Sequence, residues 1–166
     1  PLLRETTMEY DALGRKTGMT DRDMGVWTYA YGGAGNLIRQ QSPAGVLCFR
    51  YDDLDRLTQR FQDVSPGVNC PASPAAGDIV LASYTYGTDS GAANNLGKPL
   101  TISWGPDPAT NNDVFTYAGE GRPAKQTRLV NGRSFAYEVT AYDTLDRPTQ
   151  VKLYDDTVAE TIDYAY

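Results

Sequence analysis

The sequence contains no histidine among its 166 residues. This absence excludes Ser-His-Asp and Cys-His catalysis, zinc sites with histidine ligands, and acid–base chemistry by an imidazole. Cysteine is nearly absent too, since Cys48 and Cys70 are too few for a disulfide framework and form no Cys-x-x-Cys metal pattern. A bridge between them is the less favoured alternative because disulfide geometry is demanding, and the sequence favours Cys48 as a buried strand residue.

Long apolar runs and an excess of basic residues are also missing. No apolar stretch approaches the ~20 residues that a membrane-spanning helix requires. The net charge of −6 disfavours nucleic acid and anionic membrane surfaces as partners. The stretch from Pro1 to Arg4 resembles the inside of a repeat rather than a signal peptide, so we expect the chain to be a segment of a longer protein.

The residues that are abundant form strands and turns. Twelve tyrosines, 16 glycines and 10 prolines are typical of many short strands joined by turns. No segment keeps a period of 3.6 residues, whereas a period of two predicts about eleven or twelve antiparallel strands. The alternation predicts a ladder of side chains on one face of neighbouring strands, formed by Trp27/Tyr29, Leu47/Phe49, Tyr84/Tyr86, Phe115/Tyr117, Phe135/Tyr137 and Ile162/Tyr164.

A six-residue motif, Tyr-Asp-x-x-Gly-Arg, recurs along the chain, and its strict copies begin 20 to 25 residues apart. We interpret residues 1–166 as a single array of about six repeats, with insertions at 63–78 and 87–97. The repeats begin near Tyr10, Tyr31, Tyr51, Tyr86, Tyr117 and Tyr142. The motif residues expected to be structurally important are Tyr10, Asp11, Gly14, Arg15, Tyr31, Gly35, Tyr51, Asp52, Asp55, Arg56, Tyr86, Gly97, Tyr117, Gly121, Arg122, Tyr142, Asp143, Asp146 and Arg147.

Each position of the motif has a mechanical explanation. The tyrosine ends a strand, and an aspartate at the start of a tight turn can bind the backbone N–H two residues later. Glycine then takes a positive φ without steric cost. Asp55 and Asp146 replace that glycine, so we expect those two turns to be less comfortable. For the recurring arginine we favour a solvated or phase-setting role over an anion-binding stripe.

Two further turns can be predicted from local sequence. Asn131-Gly132 between two strand-forming segments is typical of a two-residue type I′ hairpin. The odd spacing of Tyr137 and Tyr142 predicts a bulge between Glu138 and Ala141. The proline-rich segment from Asp63 to Asp78 lacks strand periodicity and is expected to be a surface loop.

No pattern of catalytic, cofactor or metal residues stands out. The acidic groups Asp21/Asp23, Asp52/Asp53/Asp55 and Asp155/Asp156 fall at predicted turns, where aspartate is favoured for backbone reasons. A calcium ion at one of them is the minor alternative. The glycine spacing from Gly119 to Ala124 fits a dinucleotide fingerprint by accident only, because Pro123 follows and no helix is predicted.

The motif resembles the YD repeat of RHS proteins, a family that includes bacterial polymorphic toxins, B/C components of insecticidal toxin complexes, and teneurins. The resemblance covers nearly the whole chain in six copies. It implies a ribbon of β-strands that spirals into a hollow shell, usually around a toxic C-terminal domain. The family's C-terminal autoproteolytic motif is not visible in this sequence, so no cleavage residue can be assigned.

These observations predict an all-β fold of tandem antiparallel hairpins that form a curved ribbon, a segment of a shell. The expected role is non-catalytic, without cofactor or metal, in a larger bacterial protein that is secreted or displayed at the cell surface. Expected partners are further repeats of a parent chain, neighbouring copies joined by strand edges, and an enclosed toxin polypeptide. The alternative is a carbohydrate-binding or adhesion module that uses exposed tyrosines and loops.

Overall fold

The structure, a computed structural model, describes residues 5–67, 69–88, 94–105, 107–156 and 158–166. Within these ranges the fold is all-β, with thirteen antiparallel strands in chain order, no α-helix, and one 3-10 turn at Gly119–Gly121. The strands are β1 (Thr6–Tyr10), β2 (Lys16–Asp21), β3 (Gly25–Tyr31), β4 (Leu37–Ser42), β5 (Gly45–Tyr51), β6 (Leu57–Asp63), β7 (Ile79–Tyr86), β8 (Pro99–Trp104), β9 (Asn111–Tyr117), β10 (Pro123–Val130), β11 (Arg133–Tyr142), β12 (Pro148–Asp155) and β13 (Ala159–Asp163).

The prediction of an all-β hairpin array is confirmed, with slightly more strands than expected. β1, whose residues lead into the first motif, was not predicted as a strand, and β9 begins earlier than predicted. Pro1 to Arg4 and residues 89–93 of the second insertion lie outside the described residues. The chain divides into two compact units, Pro1–Leu81 and Ala82–Tyr166.

A register shift marks the motif tyrosine in each hairpin. Tyr10 pairs with Lys16, and the register slips by one residue between Glu9 and Tyr10. Such a bulge bends the strand where the tight turn begins. The same slip accompanies the other motif tyrosines, in the pairs Tyr31↔Leu37, Tyr51↔Leu57, Tyr86↔Pro99, Tyr117↔Pro123 and Tyr142↔Pro148.

The core of the N-terminal unit lies on the face opposite the aromatic ladder. Val46, Cys48 and Phe61 are almost fully buried, and the loop residue Cys70 packs against them. Register places Cys48 beside Phe61 and on the face opposite Leu47. The proline-rich loop therefore covers a core, which the sequence reading did not anticipate.

Cys48 and Cys70 form a disulfide, with a Cα–Cα distance of 5.8 Å. The preference for a free buried Cys48 was thus wrong about bonding and right about burial, since Cys48 is 0% exposed. The error has a physical source. Only the docking of the loop onto β5 brings the two sulfur atoms together, and loop docking leaves no periodic signal in the sequence.

In the C-terminal unit the predicted hairpin and bulge are confirmed. Val130 pairs with Arg133, and Asn131 and Gly132 have φ values of +50° and +79°, as a type I′ turn requires. The register of β11 against β12 shifts between Val139 and Ala141. The register places the predicted ladder residues Tyr84, Phe115, Tyr137 and Ile162 on one face of this unit, together with Ile102 and Leu153.

Candidate functional site

In three repeats the carboxylate of the motif aspartate accepts hydrogen bonds from backbone N–H groups of its turn and from the motif arginine. The Asp11 carboxylate accepts hydrogen bonds from the backbone N–H groups of Leu13 and Arg15, each at 2.9 Å, and from Arg15 Nε at 2.7 Å. The backbone closes the turn, because the Asp11 N–H donates to the Arg15 carbonyl and the Gly14 N–H donates to the Asp11 carbonyl. The same bonds recur between Asp52 and Arg56 and between Asp143 and Arg147.

These bonds favour the charged carboxylate. The Arg15 backbone N–H is the main reason that the pKa of Asp11 lies below its usual value, and the Arg147 backbone acts in the same way on the pKa of Asp143. The guanidinium of Arg56 is the main cause of the lowered pKa of Asp52. The motif arginine is therefore a partner within the turn.

The residue at the glycine position of the motif has a positive φ in each of the six copies, as expected. A side chain there is strained unless it is small or polar, which explains the glycine. The φ values are Gly14 +76°, Gly35 +89°, Asp55 +59°, Gly97 +74°, Gly121 +74° and Asp146 +60°. The two aspartate copies thus have the left-handed backbone that glycine would adopt more easily.

The motif tyrosine joins one repeat to the next. Tyr31 Oη donates a hydrogen bond to the carbonyl of Lys16 at 2.8 Å, directly after the preceding motif. Each such bond ties a side chain to the backbone of the neighbouring turn, and we call it a rung. Further rungs are Tyr51 to Leu37, Tyr117 to Pro99, Tyr142 to Pro123 and Tyr166 to Pro148.

The motif cation packs on the tyrosine of the next repeat. The Arg15 guanidinium carbon lies 4.6 Å from the centroid of the Tyr31 ring, and that of Arg147 lies 4.2 Å from the Tyr166 ring. Cation–π contacts of this kind stabilise by about 0.5–1 kcal/mol at exposed sites. The equivalent pairs are Lys98 with Tyr117 and Arg122 with Tyr142.

Three repeats lack the motif aspartate, and two of them, the second and the fifth, use a different bond. Gly32 stands in that position of the second copy, and there Asn36 Nδ2 donates forward to Asp55 Oδ1 at 2.8 Å. In the fifth copy Ala118 stands there, and Arg122 forms an ion pair of 2.6 Å with Asp146. Asn36 and Arg122 thus bind the aspartate that replaces glycine in the following repeat, because their own turns contain no motif aspartate. The sequence analysis did not predict these bonds between repeats. The signal was present, because a repeat without the motif aspartate precedes each repeat in which aspartate replaces glycine.

The looser fourth copy also closes as a motif turn. The Gly87 N–H donates to the Lys98 carbonyl at 2.8 Å, and the Gly97 N–H donates to the Gly87 carbonyl at 2.8 Å. Gly87 therefore occupies the aspartate position, with the insertion placed inside the turn.

An ion pair between a buried aspartate and a half-exposed arginine lies on the ladder face of the C-terminal unit. Asp113 on β9 is 5% exposed, and both its oxygens accept from the Arg128 guanidinium at 2.8 Å. This hydrogen bonding is the main cause that lowers the pKa of Asp113. Sequence reasoning missed the pair, because its partners lie on different strands. A surface pocket of about 250 Å³ opens on the same unit, lined by Phe115, Tyr117, Pro123, Lys125, Tyr137 and Val139.

Acidic side chains at the other turns accept hydrogen bonds from backbone N–H groups. Asp21 Oδ1 accepts from the N–H groups of Asp23 and Met24, and Asp155 Oδ1 accepts from that of Val158. Within the described residues no group of three cysteine or acidic side chains is arranged to hold a metal ion. In the same part of the chain no helix is long and apolar enough to cross a membrane.

Comparison with known proteins gives matches in structure but not in sequence. No family model matches the chain, and no curated protein matches it in sequence. A crystal structure of TcdB2-TccC3-Cdc42 matches 95% of the chain with a TM-score of 0.61 at 11% identity. A crystal structure of TcdB2-TccC3 matches the same share with a TM-score of 0.56 at 14% identity.

A third match is a structure of the Photorhabdus luminescens Tc holotoxin pore that carries a TccC3 variant. It covers 95% of the chain with a TM-score of 0.58 at 13% identity. The chain spans only about a tenth of these proteins, between 9% and 10% of each matched length. These Tc toxin structures contain RHS/YD-repeat shells, in agreement with the resemblance of the motif. The chain has the β-strand fold found in the Tc toxin TcdB2-TccC3 structures.

Proposed function

We propose that this chain is a non-catalytic structural segment of a YD/RHS-repeat shell that encloses or presents a toxin or effector domain of a larger secreted bacterial protein. The observation that carries the proposal is the rung. Five tyrosine hydroxyls each bond to the backbone next to the preceding turn, and a cation packs on four of these rings. A device repeated at this spacing builds an extended wall. The fold shared with the Tc toxin structures supports the same role.

The chemistry of the motif suits a wall better than an active site. The Asp11 carboxylate is saturated by Leu13 and Arg15, and the arginine is held against Tyr31. General acid–base catalysis requires a group that can exchange a proton with a substrate. The recurring ionisable groups instead stabilise turns.

The outermost strands supply the proposed partner surface. All residues of β1 and of β13 are exposed. Strands of this kind pair readily with other chains through their backbone groups. We propose that further repeats of a parent chain, or neighbouring copies, occupy these edges.

The test is limited proteolysis of the longer protein that carries this chain, followed by mass spectrometry. The shell predicts that a polypeptide outside the repeats is protected from protease. It also predicts that the protection is lost when the rungs are removed by Tyr51→Phe together with Tyr142→Phe. Enclosure would be contradicted if the polypeptide outside the repeats were cleaved as rapidly in the parent protein as in the double variant.

The second candidate is a carbohydrate-binding or adhesion module. The aromatic pocket around Phe115 and Tyr137 favours it, because exposed rings can stack on sugars. Binding on a glycan array that is lost in Tyr137→Ala would support this candidate. Absence of glycan binding together with protease protection would support the shell.

A further inference from the structure

Two arginines of the N-terminal unit lie on the face that the disulfide-bonded loop covers. Arg39 on β4 is the direct partner of Cys48 on β5. Arg50 follows Cys48 by two residues and therefore points to the same face. The two residues are diagonal neighbours across adjacent strands, a separation that long side chains can span.

Three nitrogen atoms of this pair are buried, Nε of Arg39 and both Nε and Nη2 of Arg50. Among the residues that the structure describes, none of the three has a hydrogen-bond partner. The bonds that do form are long, from Arg39 Nη2 to the Gly67 carbonyl at 3.4 Å and from Arg50 Nη1 to the Phe49 carbonyl at 3.3 Å. The Arg50 guanidinium also lies over the Phe61 ring, 5.6 Å from its centroid.

The acidic residues at the two ends of the loop are already bonded elsewhere. Asp63 Oδ1 accepts from the Ser65 N–H at 3.0 Å. The two oxygens of Asp78 accept from the N–H groups of Val64 and Ala75. Within the described ranges neither Arg39 nor Arg50 belongs to an ion pair.

This arrangement is unfavourable unless a negative group joins it. Guanidinium stays charged at ordinary pH, and although burial lowers the pKa of Arg50, it leaves the group protonated. A desolvated charge without a partner is costly, and a like charge on the adjacent strand adds repulsion. An oxyanion removes both penalties, because its oxygens match the fork of N–H donors.

We propose that Arg39 and Arg50 form an oxyanion-binding site beneath the loop that the Cys48–Cys70 disulfide tethers. The ligand is either a free inorganic anion such as phosphate or a carboxylate of a polypeptide. The site does not depend on the chain being part of a shell. Arg50 is only partly buried, which gives an anion access to the site.

The test compares thermal unfolding of the chain in sodium phosphate, sodium acetate and sodium chloride at matched ionic strength. A ligand that binds only the folded state raises the unfolding midpoint in a saturable way. We expect phosphate or acetate to raise the midpoint above that in chloride. Saturation by phosphate identifies a free anion as the source, and saturation by acetate alone identifies a carboxylate.

Arg39→Gln and Arg50→Gln should abolish the response. Arg60→Gln is the matched control, because Arg60 is an exposed arginine of β6 opposite Phe49, on the other face. It should keep the full response. A midpoint that follows ionic strength alone, or an equal response in all three variants, would overturn the site and assign the buried donors to water.

A second measurement avoids the risk that a variant does not fold. In the unmodified chain, the Nε–H resonances of Arg39 and Arg50 should shift saturably during a phosphate or acetate titration, while that of Arg60 stays in place. Identical small shifts at all three would contradict the proposal.

Discussion

At the scale of single residues, a motif tyrosine such as Tyr31 makes two separate interactions, one through its hydroxyl and one through its ring. Its hydroxyl donates to a carbonyl of the preceding turn, and its ring supports the cation of that turn. A phenylalanine would keep the ring and lose the hydrogen bond. The rung can therefore be measured separately from the packing.

Tyr51→Phe should lower the free energy of unfolding by about 1 kcal/mol, because it removes the bond to the Leu37 carbonyl and leaves that acceptor partly buried. Tyr29→Phe is the matched control. Within the described residues the Tyr29 hydroxyl makes no hydrogen bond, and its ring contacts Lys16. Chemical denaturation checks both variants, and equal losses would show that the rung contributes nothing.

Gly14 has a positive φ, so replacing it should destabilise the fold even where there is room for a side chain. An added Cβ would have no atom within 4 Å, so a substitution there is penalised by backbone strain alone. We expect Gly14→Val to destabilise by about 1 kcal/mol or more, and Gly14→Asn by less, since Asn tolerates this region. Equal unfolding midpoints for the two variants would count against strain as the cause.

Asp55→Gly tests the opposite change. Glycine relieves the strain at φ +59° but loses the bond from Asn36. The two effects are similar in size, so we expect a change in the free energy of unfolding within about 0.5 kcal/mol. In Asn36→Ala the bond is already gone, so Asp55→Gly should then be stabilising. Strong destabilisation in both backgrounds would refute this balance.

Asp113 gives the fold an acid-sensitive contact. Because Arg128 lowers its pKa in the folded state, the stabilisation is present above the unfolded pKa of about 3.9 and is lost as pH falls through the lower folded value. Asp113→Asn should cost about 2 kcal/mol at pH 7. The difference from the parent chain should shrink as pH falls below about 4. A pH-independent difference in unfolding midpoints would exclude the ionised pair as its source.

At the scale of structural elements, the turns were predictable and the core of the N-terminal unit was not. The motif carries its own instructions, because Asp11 binds atoms within four residues of itself. The core depends on Cys70 reaching Cys48 across 22 residues. The forward bond from Asn36 to Asp55 is intermediate, since both residues were visible but their pairing required the stacking of repeats.

The loop from Asp63 to Asp78 shows the same limit. Its lack of periodicity indicated an excursion that could be shortened at little cost, because loop-closure entropy changes slowly with length. The disulfide alters that expectation, since a deletion that removes Cys70 also uncovers Cys48 and Phe61.

We expect Cys70→Ala to lower the free energy of unfolding by about 3 kcal/mol, the usual effect of losing a cross-link that closes a loop of this size. A shortened loop that keeps Cys70 should cost less than one that removes it. Denaturation with and without a reductant checks this, because reductant should affect only chains that keep both cysteines. A loss that is the same for both deletions would mean that the tether is unimportant.

At the scale of the whole molecule, we propose that the chain builds a wall by strand pairing beyond itself. Its thirteen described strands follow chain order, and every residue of the strands at the two ends is exposed. The sequence predicted this architecture because one motif repeats. What the wall surrounds is not encoded in the motif and stays a proposal.

The most direct test is light scattering of residues 1–166 expressed alone. We expect concentration-dependent association through β1 and β13. Thr7→Lys together with Thr161→Lys should reduce this association, because charge on an edge strand opposes pairing. A well-behaved monomer with cooperative unfolding, unchanged by these two substitutions, would contradict pairing of the strands at the two ends with other chains.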